Sequence, residues 1–225
     1  MSKLENWSYE ATELEKHGWL SREFSAPTES LFENEVLYWA GQLGQPLPSR
    51  INAKMIDRLC PIHRSAAPPR SLSRIFSTGA FPLHNDTAHW LTPCRFVILA
   101  CLLPGAANRP TLLLDTKRAN LRENETELLH TVPLRITNGR HSFFASVFSK
   151  TQPFLRYDNG CMQPVCPGGK RVLDIFSQER WKSEIEEIHW SRGKVVLIDN
   201  WRMLHGRKES NQEDLDRTLI RVLIQ

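Results

Sequence analysis

The chain has 225 residues, of which 40% are hydrophobic and 24% charged. That suffices for one well-buried core and falls short of what two full domains usually need. Its 29 basic and 25 acidic residues leave a net charge of +4, scattered along the chain. This suits an anionic small molecule and argues against nucleic acid, which calls for a concentrated basic stripe.

Taken in order, residues 1–7 lack the apolar run of a secretory signal. Ser8 can cap a helix over Tyr9 to His17 that Gly18 stops. A second helix is predicted over Glu29 to Gln42, with Ser30 and Glu33 at capping-box spacing. Residues 45–75 are rich in Pro, Arg and Ser and read as irregular. From Phe76 onward the texture changes to strand-length apolar runs separated by Pro, Gly or Asn. These are Phe96–Leu103, Thr111–Leu114, Phe143–Phe148, Phe154–Tyr157, Val195–Ile198 and Thr218–Ile224. Helical interludes are predicted around Asn124–Leu129 and Gln178–Ile188. No run is long enough to span a membrane as a helix. Five cysteines without a CxxC spacing imply neither a disulfide framework nor a zinc site, and fit a reducing cytoplasm. Cys161 and Cys166 read as two thiols in a loop. The expectation is one domain over residues 1–225, mostly β with flanking helices: a helical layer over 1–75 and a β core over 76–225, a jelly roll or another sandwich.

Three features carry chemistry. Phe81-Pro82-Leu83-His84-Asn85-Asp86 contains His-x-Asp, and on an extended chain residues i and i+2 share a side. Two adjacent ligands of one metal would fit that spacing. Lys194–Asp199 reads as a strand, and His205 follows it, before Gly206. It is either a third ligand or a histidine satisfied by a carbonyl. In Arg217–Ile224, alternation places Arg217, Leu219, Arg221 and Leu223 on one face. Buried arginines need an anion, and that strand face offers no acid. Either a bound carboxylate pairs with them, as guanidinium can do bidentately, or both lie on an exposed edge.

Together these residues resemble the taurine dioxygenase and clavaminate synthase-like superfamily of Fe(II)/2-oxoglutarate-dependent oxygenases. The resemblance lies in His84-x-Asp86, in the segment Asp199-Asn200-Trp201-Arg202-Met203-Leu204-His205-Gly206-Arg207, and in Arg217, 217 − 205 = 12 positions after His205. Thr111, 111 − 86 = 25 positions after Asp86, fits the strand-opening Thr of the family. Leu43-Gly44-Gln45-Pro46 and Ser71-Leu72-Ser73 extend the likeness toward the N-terminus. The resemblance implies a double-stranded β-helix (jelly roll) and a small-molecule dioxygenase that consumes 2-oxoglutarate and O2. It implies Fe(II) on His84, Asp86 and His205, and the 2-oxoglutarate C5 carboxylate on Thr111 and Arg217. Arg221, or Arg156 and Tyr157, would meet a substrate or second anion. His89 reads as structural. Asp86 favours hydroxylation, with desaturation and ring formation open. Only 205 − 84 = 121 positions separate the histidines, a trimmed pattern that gives little guidance on substrate. A non-catalytic ligand-binding member, a nucleic-acid demethylase and a structural jelly roll are the competing readings.

Overall fold

The computed structural model describes residues 3–67, 72–107, 109–149, 151–209 and 215–225. Ser71 of the N-terminal resemblance lies outside them. The chain opens with α1 (Lys3–His17), β1 (Trp19–Glu23) and α2 (Glu29–Leu43), then β2 (Pro46–Leu47), β3 (Ile56–Leu59) and α3 (Leu72–Phe76). Next come β4 (Phe81–His84), β5 (Phe96–Leu103), β6 (Thr111–Asp115) and α4 (Glu123–Thr131). Then follow β7 (Leu134–Asn138), β8 (His141–Ala145), β9 (Met162–Pro164) and α5 (Pro167–Ile175). The chain closes with β10 (Glu186–Ile188), β11 (Lys194–Asp199), β12 (Met203–Arg207) and β13 (Thr218–Ile224).

Two antiparallel sheets share a core. The larger runs β1-β11-β5-β13-β2, with β3 also paired to β13; the smaller runs β10-β6-β12-β4. Alternation on the larger sheet decides which side chain goes where. Val97, Leu99, Cys101, Val196, Ile198, Leu219 and Leu223 pack between the sheets, against Leu113, Ile188, Trp190 and Met203. The intervening Ile98, Ala100, Leu197, Ile220 and Val222 face outward and are covered by Phe32, Val36 and Trp39 of α2. A third cluster, with Leu112, Leu114 and Leu204, packs the outer face of the smaller sheet on α4, α5 and the β7–β9 layer. Both faces of both sheets are thus covered, which is why the core strands read as unbroken apolar runs.

Several expectations need correction. The first helix begins at Lys3, so Ser8 lies inside it and not at its N-terminus. The cap of α2 is Thr28, whose Oγ1 accepts from the backbone N–H of Leu31 at 3.3 Å. The stretch 45–75 is not wholly irregular: β2 and β3 both join β13, so the N-terminal layer supplies three strands besides its helices. Residues 178–188 form turns and then β10 instead of a helix. The helix of that region is α5, which starts with Pro at its first turn. Phe154–Tyr157 makes only an isolated bridge, Phe148 to Leu155. All five cysteines are unbridged, and no helix among the described residues is long and apolar enough to cross a membrane.

Candidate metal centre

β4 and β12 are neighbours in the smaller sheet, with His84 directly opposite His205. Directly paired residues point to the same face. β6 is the other neighbour of β12, and His205 lies opposite Leu113, a side chain of the inter-sheet cluster. Both histidines therefore look into the space between the sheets, with ring centroids 4.5 Å apart. β4 can approach β12 this closely because Gly206 has no side chain: a Cβ there would sit 2.8 Å from the Phe81 carbonyl oxygen.

Asp86 lies two residues beyond the end of β4, where the chain turns. Thr87 adopts φ +56, a left-handed conformation uncommon for a β-branched residue. Its Oγ1 accepts from Cys94 N–H at 2.7 Å, which stabilises the turn. The position of Asp86 is set by amide side chains. Asn200 Oδ1 accepts from the Asp86 N–H at 3.0 Å, and Asn200 Nδ2 donates to the carbonyls of Asp86 and Cys94 at 3.1 and 2.9 Å. Asn85 Nδ2 donates to the Asn200 and Met203 carbonyls, while its Oδ1 accepts from Tyr157 N–H. From the sequence Asn85 has no assigned role, and Asn200 enters only as part of the segment Asp199–Arg207; the signal for Asn85 is a polar residue set between two candidate ligands in a buried segment. Asp199 takes a bidentate bond from Arg95 and accepts from Trp201 N–H, shaping the turn that leads into β12.

One ligating atom from each of His84, Asp86 and His205 lies within 4.8 Å of the others, and all three residues are buried. His84 Nδ1 is 2.9 Å from the Pro82 carbonyl, which leaves Nε2 as the lone-pair nitrogen. Asp86 Oδ2 stands 3.6 Å from His205 Nε2. Asp86 Oδ2 and His205 Nδ1 are buried and have no hydrogen-bond partner among the described residues. Such orphaned atoms cost about 1–3 kcal/mol each, and a cation in the triad would satisfy the carboxylate. Charge states agree. Burial, reinforced by His84, pushes the His205 imidazole down to about 3, so it stays neutral and able to ligate. Burial opposes ionisation of Asp86, but the positive charge of Arg221 beside it outweighs burial and holds its carboxyl below the ordinary range. Two imidazoles and one carboxylate gathered at one point fit a divalent iron.

Thr111 opens β6 on the inter-sheet face, and its Oγ1 accepts from Trp190 Nε1 at 3.1 Å. The hydroxyl hydrogen remains a donor. Arg217 is buried just before β13, near Cys101, whose thiol its charge pulls downward against the stronger effect of burial. Trp190 and Cys101 belong to the same inter-sheet cluster. Thus Thr111 lies on β6 beside that cluster, and Arg217 lies just before β13, near Cys101 of the same cluster.

The three tentative substrate contacts all have intramolecular partners. Arg221 does point inward with Leu219 and Leu223, as the alternation predicted. The missing acids come from other segments: Asp57 on β3 and Asp86 itself. Arg156 is buried, donates to the carbonyls of Ala88, Trp90 and Leu91, and lies over the Phe143 and Phe154 rings. It clamps the loop that follows Asp86. The Tyr157 ring is in the outer core and its hydroxyl donates to the Leu173 carbonyl at 2.5 Å. His89 packs edge-on against Trp90 and is outside the triad.

No protein-family model and no curated protein sequence matches the chain. Solved structures do. An asparagine oxygenase in complex with Fe(II), 2S,3S-3-hydroxyasparagine and succinate is similar at a TM-score of 0.76 and 17% identity, over 98% of this chain and 79% of that one. The non-haem iron oxygenase OrfP, with Fe and alpha-ketoglutaric acid, is similar at 0.73 and 19%, over 100% and 80%. PvcB from Pseudomonas aeruginosa is similar at 0.70 and 18%, over 97% and 79%. The chain therefore shares the fold of these three proteins along essentially its whole length.

Proposed function

We propose that this protein is an Fe(II)- and 2-oxoglutarate-dependent dioxygenase that hydroxylates a C–H bond of a small, amino-acid-like molecule. The carrying observation is the buried triad His84, Asp86 and His205 with its orphaned carboxylate oxygen. With Fe(II) and 2-oxoglutarate bound, such a site supplies O2-driven oxidative decarboxylation, releasing succinate and CO2 and delivering one oxygen atom to substrate. In this reading the two sheets form a jelly roll, and residues 1–225 serve as one oxygenase domain.

The chain's own residues perform holding and orienting. His84, Asp86 and His205 would hold the metal, each through one ligating atom. Arg217 pairs with the C5 carboxylate of 2-oxoglutarate, and Thr111 donates its hydroxyl hydrogen to the same group. The apolar cluster around Leu113, Ile188, Trp190 and Leu219 keeps water from that charge pair, which strengthens it. The amino-acid class is supported by the two solved structures whose bound molecules are hydroxylated asparagine and hydroxylated arginine. Arg221 would turn one face toward the substrate's carboxylate only by relaxing its present contacts, while Arg156 and Tyr157 act through the loop they brace.

The test is anaerobic. Fe(II) followed by 2-oxoglutarate should produce the visible charge-transfer absorption of the chelate. Arg217→Ala should require at least tenfold more 2-oxoglutarate to reach it, and Asp86→Ala should remove it. With O2 and a panel of free amino acids, one member should accelerate succinate release. Wild-type protein that gives no absorption band would refute the proposal. A band without succinate from any substrate would leave a ligand-binding protein instead.

A further inference from the structure

Only one oxygen of Asp86 is orphaned. The other, Oδ1, accepts a hydrogen bond from Arg221 Nη1. On the opposite edge of the same guanidinium, Nε and Nη2 both donate to Asp57 Oδ2, at 3.3 and 2.8 Å. Asp57 is braced in turn by Ser49, whose Oγ donates to Asp57 Oδ1 at 2.8 Å. Asp57 and Arg221 are directly opposite each other on β3 and β13, so backbone register sets their separation.

Resting on the function proposed above, we propose that Asp57 is a positioning residue for the metal centre, acting through Arg221 to keep Asp86 a one-oxygen ligand. A guanidinium is a rigid plane of five N–H donors. With Asp57 holding the Nε–Nη2 edge, the plane cannot rotate, and Nη1 stays on Asp86 Oδ1. That leaves Oδ2, on the His205 side, as the oxygen that meets the metal. Charge acts in the same direction. Arg221 places a positive charge beside a site meant for a cation, and Asp57 compensates it. Without the Asp57 carboxylate, Arg221 would turn wholly toward Asp86 and repel the incoming ion.

Anaerobic Co(II) titration of the full chain tests this, because the intensity of the visible Co(II) bands reports coordination number as well as affinity. Asp57→Asn should weaken Co(II) binding about 10- to 100-fold, the usual effect of removing a partner behind a ligand, and change band intensity. Asp57→Glu should recover most of the loss. In an Arg221→Gln background, Asp57→Asn should have less than about a threefold further effect, because a residue acting through Arg221 has nothing left to act on. Circular dichroism and thermal melting establish that each variant is folded. If Asp57→Asn fails to fold, Ser49→Ala carries the test, with a smaller weakening in the same direction. An Asp57→Asn or Ser49→Ala protein within twofold of wild type, with unchanged bands, overturns the inference. So does an Asp57→Asn effect of equal size with and without Arg221. These outcomes leave the proposed function standing, whereas wild-type protein that takes up no metal overturns both.

Discussion

Asn85 and Asn200 carry no charge, yet they determine where the Asp86 carboxylate sits. Asn200 bonds the N–H and the carbonyl of Asp86 at once, and it is fully buried. Truncating it strands the Asp86 N–H and the Cys94 carbonyl without water to replace the lost bonds. Asn200→Ala should therefore cost about 2–4 kcal/mol of stability, read as a lower midpoint in urea unfolding. It should also weaken metal binding tenfold or more. Equal stability with unchanged metal affinity would show that the turn is held by other means. That His84, Asp86 and His205 would cluster was legible from the family pattern their types and spacing resemble, and the fold does bring them together. Their supports were harder to see. Asp57 is 164 positions from Arg221, and Trp190 is 79 from Thr111. No local pattern links such pairs; only strand pairing brings them together. The same holds for Arg156. Its position looked like a substrate contact, but burial has pushed its guanidinium down to about 10, and backbone carbonyls and aromatic rings take the place of an anion.

Among the elements, β5 and β13 match their apolar runs end to end, because both faces of each strand are buried over nearly its whole length. The misreadings fall where a local signal had two meanings. Cys166 read as a loop residue, and it is the N-cap of α5. Gly169 lies inside that helix, where a Cβ would come 2.8 Å from Pro164 Cβ, so glycine here permits close packing of helix on strand. Residues 178–185 have a helical composition, but Trp181 folds its indole into the core and donates to the Ile175 carbonyl, closing turns instead. Arg180 in that segment makes a bidentate pair with Glu125 of α4, at 2.7 Å for both bonds. Its hydrogen bonds hold the Glu125 carboxyl at about 2, well below its ordinary 4.5. Since the folded form binds its proton less readily, the pair stabilises the fold above about pH 4.5. That contribution fades as pH falls toward about 2. Glu125→Gln should lower thermal stability at pH 7, and the gap from wild type should close over that acid window. A gap independent of pH would mean that packing, not charge, is what the substitution removed.

For the whole molecule, the triad joins parts of the chain that are far apart in sequence. His84 ends β4, Asp86 follows two residues later in the turn, and His205 lies on β12, which is hydrogen-bonded to both β4 and β6. The Asp86 turn is tied by Asn200 to the end of β11, a strand of the other sheet. Metal bound at the triad would clamp β12 to β4 and to the turn after it, and it could do so only when these strands are paired and the Asn200 tie is formed. The unfolded chain has no comparable site, so binding must stabilise the fold by mass action. At a metal concentration about 100 times Kd the gain is about 2.7 kcal/mol. For a chain of this length that corresponds to a rise in Tm of roughly 5–10 °C. Differential scanning calorimetry under anaerobic Fe(II), or with Co(II), should show this rise in wild-type protein, and a chelator should reverse it. Adding 2-oxoglutarate should raise Tm further, because in the proposed function it would link Thr111 on β6 to Arg217, just before β13 of the other sheet. In Asp86→Ala both increments should be lost. A metal-dependent rise of the same size in Asp86→Ala would place the stabilising ion elsewhere on the molecule and separate the clamp from the triad.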